Sequence, residues 1–421
     1  MNRILIFRGT RPLCFTALAL GLAWALRGHF GHEQGAAWAG AVGSLALILI
    51  SGRPDWQRKA LPASLLGGIG WGVGGMMSYG LVVGYGRSGD FANALYGLSM
   101  LAVIGGLYGF IGGGFLGLAL ESEKDKKPDW PALLTQMVAA GLLFWGVLIY
   151  QWELWMTPPR SELWAACLGA AASLAWYLQR NRFHRALRTA LWTAFGAGFG
   201  FALGNFFQTL GAVSGLPFNW WNVMEFTLGA CGGLGLAYGA YTQEWPESAD
   251  LSGRSSTLAL LGLFIALPLV NVWQAFSLEE FARMAASLNA VNPVQFAHAQ
   301  YYLAATAVIL FAFTAWYAWK KRSITTLFFL LTALYILLSH LKKGFFFLND
   351  LLQLEQYVYW LLFFCLVLLY SASQSKPSPL FAERARANGL AMAAILAAAL
   401  LLMAFISVVV SDGIAGGQRR F

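Results

Sequence analysis

The stretch Arg27-Gly-His29-Phe-Gly-His32-Glu33-Gln34-Gly35 sets a guanidinium, two imidazoles, a carboxylate and an amide between two greasy flanks. Residues 13–26 and 36–50 are almost wholly apolar. Each flank is shorter than the ~20 residues an upright helix needs to cross a bilayer, so part of the stretch is expected at membrane depth. A charge there costs about 2.5–3.5 kcal/mol on insertion scales and is kept by pairing or by lining a wet cavity. The planar fork of Arg27 suits a carboxylate or phosphate. His29 and His32 are of the type that titrates near neutrality and could carry protons in a coupled cycle.

Other readings of the same residues compete with this one. In a plain outer loop, Arg27 and Glu33 would form a solvated pair and both histidines would face water. In a membrane-embedded enzyme, such as a transferase acting on a lipid-linked substrate, His32 and Glu33 would serve as acid and base. A metal is not expected: His29-x-x-His32-Glu33 is not the HExxH arrangement, and no further ligand cluster accompanies it.

Two later stretches add polar groups inside apolar runs. In Asn219-Trp-Trp-Asn222-Val-Met-Glu225, Asn222 and Glu225 lie three residues apart and share a helical face behind a Trp pair that suits the membrane interface. Glu225 is expected either to be protonated by desolvation or to pair with Arg27. Asn205-Phe-Phe-Gln208 places two amides on adjacent turns, suited to a hydroxylated, sugar-like solute or to interhelical hydrogen bonds. The candidate binding set is therefore Arg27, His29, His32, Glu33, Gln34, Asn205, Gln208, Asn222 and Glu225, with no catalytic residue, metal or cofactor assigned.

The elements that must position these residues are helices. Only 11% of the 421 residues are charged, against about 25% in a soluble domain, and apolar runs recur along the chain. The expected class is an all-α polytopic membrane protein. Thirteen spans are expected, near 12–28, 35–51, 61–85, 92–120, 131–152, 161–179, 187–212, 220–242, 256–276, 299–319, 323–341, 355–373 and 388–411. Arg3, Arg8 and Arg11 ahead of Ala23-Trp-Ala25 resemble a signal peptide, but the stretch belongs to a repeat and is expected to be the first span. Twenty of the 28 Lys and Arg fall on the side of the N-terminus in this arrangement. That bias predicts an inner-membrane protein with a cytoplasmic N-terminus and an outward C-terminus, and the +9 net charge then implies no nucleic-acid partner.

The first eight spans read as a parallel duplication of a four-helix unit. Trp38-Ala39-Gly43 recurs as Trp164-Ala165-Gly169, Gly68-x-Gly70-Trp71-Gly72 as Gly196-x-Gly198-Phe199-Gly200, and Gly105-Gly106-Leu107 as Gly232-Gly233-Leu234, at spacings of 126 to 128 residues. The resulting divisions are 1–122, 123–248 and a Leu- and Phe-rich bundle at 249–421. The Gly-rich segment from Gly67 to Gly75 is expected either to pack tightly or to unwind beside a solute. Ser277 and Glu280 form a capping box that predicts an amphipathic outer helix over 277–289, and Lys342 to Phe347 reads as an interfacial anchor. Glu121, Glu123, Asp125 and Asp129 read as solvated, and His340 as facing the interface. Cys14, Cys167, Cys231 and Cys365 lack metal or disulfide spacing and read as small packing residues.

Parallel repeats with a polar site between halves are a transporter architecture. The expected function is secondary transport of a small polar, anionic solute, a sugar acid or carboxylate, with H+ or Na+ coupling. The expected partners are that solute and the lipid bilayer, with a homo-oligomer or a fixed partner in a membrane complex left open.

Overall fold

The computed structural model describes residues 3–249, 253–287, 289, 291–343, 354–372, 389–410 and 417–421. Among the described residues every regular element is helical, and nine helices are long and apolar enough to cross a membrane. These are α2 (Glu33–Ile50), α6 (Phe91–Glu121), α7 (Trp130–Trp145) with its π-helical continuation to Gln151, α9 (His184–Ser214), α11 (Gly253–Leu261) running through a π turn into α12 (Leu267–Ala275), α14 (Pro293–Lys320), α15 (Ile324–Lys342), α16 (Leu354–Ala372) and α17 (Gly389–Val410). The other four expected spans fall on α1 (Arg3–Arg27), on α4 (Ala60–Gly74) with α5 (Gly80–Gly86), on α8 (Trp164–Arg180) and on α10 (Trp220–Tyr241). These helices are shorter, interrupted or more polar, and by length and composition alone they are not in the set of nine.

The membrane class is also written in the surface. Leu142 and Leu143 of α7, Ile309, Leu310 and Phe313 of α14, and Leu401, Leu402 and Phe405 of α17 all stand exposed. Exposed apolar bands on this scale are unstable in water and stable in hydrocarbon. The reverse holds at the centre, where α2 is buried over most of its length.

Small residues set how closely the central helices meet. Gly229 and Gly233 of α10 lie against the backbone of α1, where an added Cβ would come within 2.5 Å of Trp24 Cβ and 2.7 Å of the Thr16 carbonyl oxygen. Two glycines four apart on one face permit this contact. One turn above Gly229, Glu225 therefore comes level with the last turn of α1, where Arg27 stands.

The Gly-rich segment both packs tightly and breaks. Trp71 of α4 fills the space over Gly40 and Gly112, each of which would place a Cβ 2.4 Å from its ring. Beyond Gly74 the helix closes in tight turns, with Met76 and Met77 N–H donating to the carbonyls of Val73 and Gly74, and helical structure resumes only at Gly80. The expected single span 61–85 is thus two helices joined by a non-helical link. Gly75 sits on the knot itself, because a Cβ there would meet Glu33 Cα and the His32 carbonyl oxygen, both at 2.5 Å.

One half of the expected capping box forms. The Glu280 N–H donates to Ser277 Oγ at 3.3 Å and starts α13 (Leu278–Ser287), which buries Phe281 against Phe276 and Tyr301. Gly344 to Phe347 of the expected anchor lie outside the described residues.

The expected solvation of Glu121 is corrected by the fold. Its side chain is buried and accepts from the Ala186 N–H at 2.9 Å, with Arg185 3.4 Å away. The N-terminal turn of α9 supplies the donor that water would otherwise provide. Asp129 caps α7 by accepting from Ala132 N–H at 3.1 Å.

Candidate functional site

Helix α1 ends on Arg27, and the chain turns through Gly31, whose φ of +119° is a conformation glycine adopts without strain, before α2 starts at Glu33. The turn is held from outside the knot as well. Tyr335 of α15 donates to the Gly35 carbonyl at 3.0 Å while its ring stacks on Trp38 at 4.0 Å, and Lys342 Nζ donates to the His29 carbonyl.

Arg27 is 2% exposed and makes a buried ion pair with Glu225, itself 1% exposed, at 2.9 Å. Its Nη1 also donates to Tyr79 Oη at 2.5 Å, and Tyr79 in turn donates to Glu225 Oε1 at 2.8 Å. Tyr79 is the last residue of the link between α4 and α5, so the helix break is what delivers this hydroxyl into the centre. Nη2 of Arg27 donates to His32 Nδ1 at 2.9 Å, which fixes that ring nitrogen as an acceptor. The guanidinium also lies 5.4 Å from the rings of both Trp24 and Tyr79, inside the range of cation–π attraction.

The Nε donor of Arg27 is left over. Nε is buried and has no hydrogen-bond partner, and so have the indole nitrogens of Trp24 and Trp71 and the hydroxyl of Tyr108. These rings pack on one another, Trp24 on Trp71 at 4.9 Å and on Tyr108 at 5.1 Å. A buried donor without an acceptor carries its full desolvation cost, about 1–3 kcal/mol. The cluster around Arg27 is therefore rich in donors and poor in acceptors.

A second group adjoins the first through the turn. Asn222 Nδ2 donates to Tyr359 Oη, which lies 3.0 Å from His29 Nε2. The Tyr359 hydroxyl can accept from the amide and either donate to or accept from His29, according to the imidazole tautomer. His29 is pushed down to about 3, by burial first and then by Lys343 and Lys342. His32 is pushed down to about 4, by desolvation first and then by Arg27. The His32 residue is exposed as a whole, but its Nδ1 edge is turned inward onto the guanidinium. Both shifts disfavour the charged imidazolium at the turn.

The remaining expected residues lie around this centre. Glu33 is exposed on the first turn of α2, at the helix's positive end, and Gln34 donates to Gln274. The expected solvated pairing of Arg27 with Glu33 gives way to the buried pairing with Glu225. Asn205 donates to the Val83 carbonyl at 3.2 Å and to Gln208 at 3.3 Å, so these amides hold α5 in place. His340, expected at the interface, is buried and accepts from the Trp360 indole at 2.7 Å. Among the described residues no group of three His, Cys, Asp or Glu side chains could hold a metal ion.

Five ring side chains of the cluster were not in the candidate set: Tyr79, Trp24, Trp71, Tyr108 and Tyr359. Tyr79 carried a signal, since it follows the Gly-rich run at the position matching Asn205 to Gln208. Tyr359 carried none, lying 330 residues from His29 in an aromatic span. Comparison of the chain with protein-family models, with curated proteins and with solved structures returns no match.

Proposed function

We propose that the protein is a secondary transporter of a small anionic solute rich in hydrogen-bond acceptors, a sugar acid or a related carboxylate. The observation that carries this reading is Arg27, buried and engaged by Glu225, Tyr79 and His32 yet retaining an unpartnered Nε–H beside an interrupted helix. Nε and Nη2 form the side edge of the guanidinium, the fork that binds a carboxylate with two parallel hydrogen bonds, and an incoming carboxylate would share Nη2 with His32. The indole and phenol donors next to it suit hydroxyl and ether oxygens. Interrupted helices at a central site are a recurrent transporter feature.

Charge supports the coupling. Arg27 and Glu225 cancel, so an incoming monovalent anion would bring the buried pair and the anion together to net −1. An uncompensated charge at membrane depth is costly, and a cation that accompanies the solute removes the cost. Protonation of Glu225 is the simplest way, and it also loosens the carboxylate's hold on Arg27. The proton site of this scheme is Glu225 and not a histidine.

The architecture belongs to the same proposal. It comprises thirteen spans, with α4 and α5 together forming one of them, and a parallel duplication over the first eight. The N-terminus is cytoplasmic, and the Arg27 turn opens outward.

Thermal unfolding of the detergent-purified protein with a hexuronate, a short-chain monocarboxylate and the matching neutral sugar tests the reading. Stabilisation by the hexuronate above the neutral sugar is expected. No stabilisation by either acid, or chemical conversion of an acid in detergent, would count against transport, the latter in favour of an enzyme.

A further inference from the structure

At the end of the bundle away from the Arg27 turn, a groove of about 670 Å³ lies between α4, α11, α14 and α15 and the short helix α3 (Pro54–Arg58). It is opposite because α2 runs from the turn at Glu33 to Ile50, about 27 Å at 1.5 Å per residue, before α3 begins. Its lining is divided by chemistry. Arg58, Lys320 and Arg322 supply three exposed cations, Ser256 a hydroxyl, and Leu61, Trp319 and Ile324 an apolar wall. Glu247, itself exposed, lies 3.7 Å from Arg58. Leu61 and Ile324 belong to the first turns of α4 and α15, so two helix starts add their positive ends to the cations.

The apolar wall of the groove continues along α14, where Trp316 stands one turn from Trp319 on the same face. On α14, Trp316 lies under Lys320, with the ammonium 3.6 Å from the ring centroid, and Tyr317 is exposed beside it. A free anion would use the cations and leave the apolar wall of Leu61, Trp319 and Ile324 idle. A molecule with a phosphate at one end and acyl chains at the other uses both.

We propose that this groove binds the headgroup of an acidic glycerophospholipid, its phosphate against Arg58, Lys320 and Arg322 and its acyl chains against Leu61, Trp319 and Ile324 and on along α14 past Trp316. The site is independent of the transport reading. Each cation near an acidic lipid is worth roughly a fivefold gain in affinity, so three together are worth on the order of a hundredfold.

Native mass spectrometry of the full chain, titrated with phosphatidylglycerol or phosphatidylcholine of the same acyl chains, tests it. The expected result is a phosphatidylglycerol preference in the wild type that falls at least tenfold in the variant carrying Arg58→Gln, Lys320→Gln and Arg322→Gln. All three are surface residues, and unchanged melting in phosphatidylcholine confirms folding. Should the variant not fold, the wild-type preference must still collapse between low and high salt. Equal binding of the two lipids, an undiminished preference in the folded variant, or a salt-insensitive preference overturns the proposal. So does displacement of phosphatidylglycerol by millimolar inorganic phosphate, which would mark a site for a free anion.

Discussion

Arg27 and Glu225, 198 residues apart, meet at 2.9 Å with both side chains almost fully buried. Glycine packing of α10 on α1 brings them level, and the break after Gly74 supplies Tyr79 between them. Removing one partner of such a pair strands the other charge, at about 3–5 kcal/mol. Glu225→Gln keeps an acceptor for Arg27 but removes the charge and the proposed proton site. Reconstituted Glu225→Gln protein should therefore exchange solute across the membrane in counterflow while failing to accumulate it against a proton gradient. Gradient-driven accumulation at the wild-type level would exclude Glu225 as the proton site.

Tyr79→Phe removes one hydroxyl that accepts from Arg27 and donates to Glu225. Hydrogen bonds to charged groups are worth about 1.5–3 kcal/mol, and chemical denaturation in detergent should register a loss of that size. Tyr85→Phe, at a hydroxyl outside the Arg27 group, should cost far less.

His32 is held near 4 by desolvation and by Arg27, below the ~6.5 of an exposed ring. The unfolded chain then binds more protons between those values, so stability rises with pH across that window. The His32 contribution is fully present above about 6.5 and is lost as pH falls towards 4. His29, held near 3, acts in the same direction. The difference in melting temperature between wild type and His32→Gln should therefore be constant from pH 7 to 9 and shrink below pH 6.5. A difference that does not change between pH 7 and 5 would contradict the assignment.

Gly75→Ala would drive a Cβ to within 2.5 Å of backbone atoms at His32 and Glu33. Overpacking of this kind costs about 1–3 kcal/mol, and here it also pushes the link away from Arg27. The variant should melt lower and bind the solute more weakly. Gly146→Ala, on a helix where an added Cβ meets nothing within 4 Å, should be neutral or slightly stabilising.

The helical class was legible because burial in lipid demands long apolar runs, and the Arg27 turn was legible because charge is rare in them. The pairing of Arg27 with Glu225 was foreseeable as one of few ways to neutralise two charges at that depth. The link at residues 75–79 was only half legible, since clustered glycines are equally compatible with an unbroken, tightly packed helix. Tyr359 and the orphaned indoles were illegible, because an aromatic residue in an apolar span looks the same whether it anchors, packs or donates. The histidine environment was illegible for a related reason. Residue type suggests titration near neutrality, whereas burial beside Arg27, Lys342 and Lys343 disfavours the charged ring.

Arg27→Lys keeps a cation opposite Glu225 but removes the planar edge formed by Nε and Nη2, so it separates anion recognition from the stability of the buried pair. The decisive measurement is uptake of labelled hexuronate and monocarboxylate into proteoliposomes holding equal amounts of folded wild-type or Arg27→Lys protein under an imposed proton gradient. The account predicts saturable wild-type uptake of at least one of these acids, lowered tenfold or more in Arg27→Lys. Equal uptake by the two proteins, or no uptake of either acid by the wild type, would contradict it.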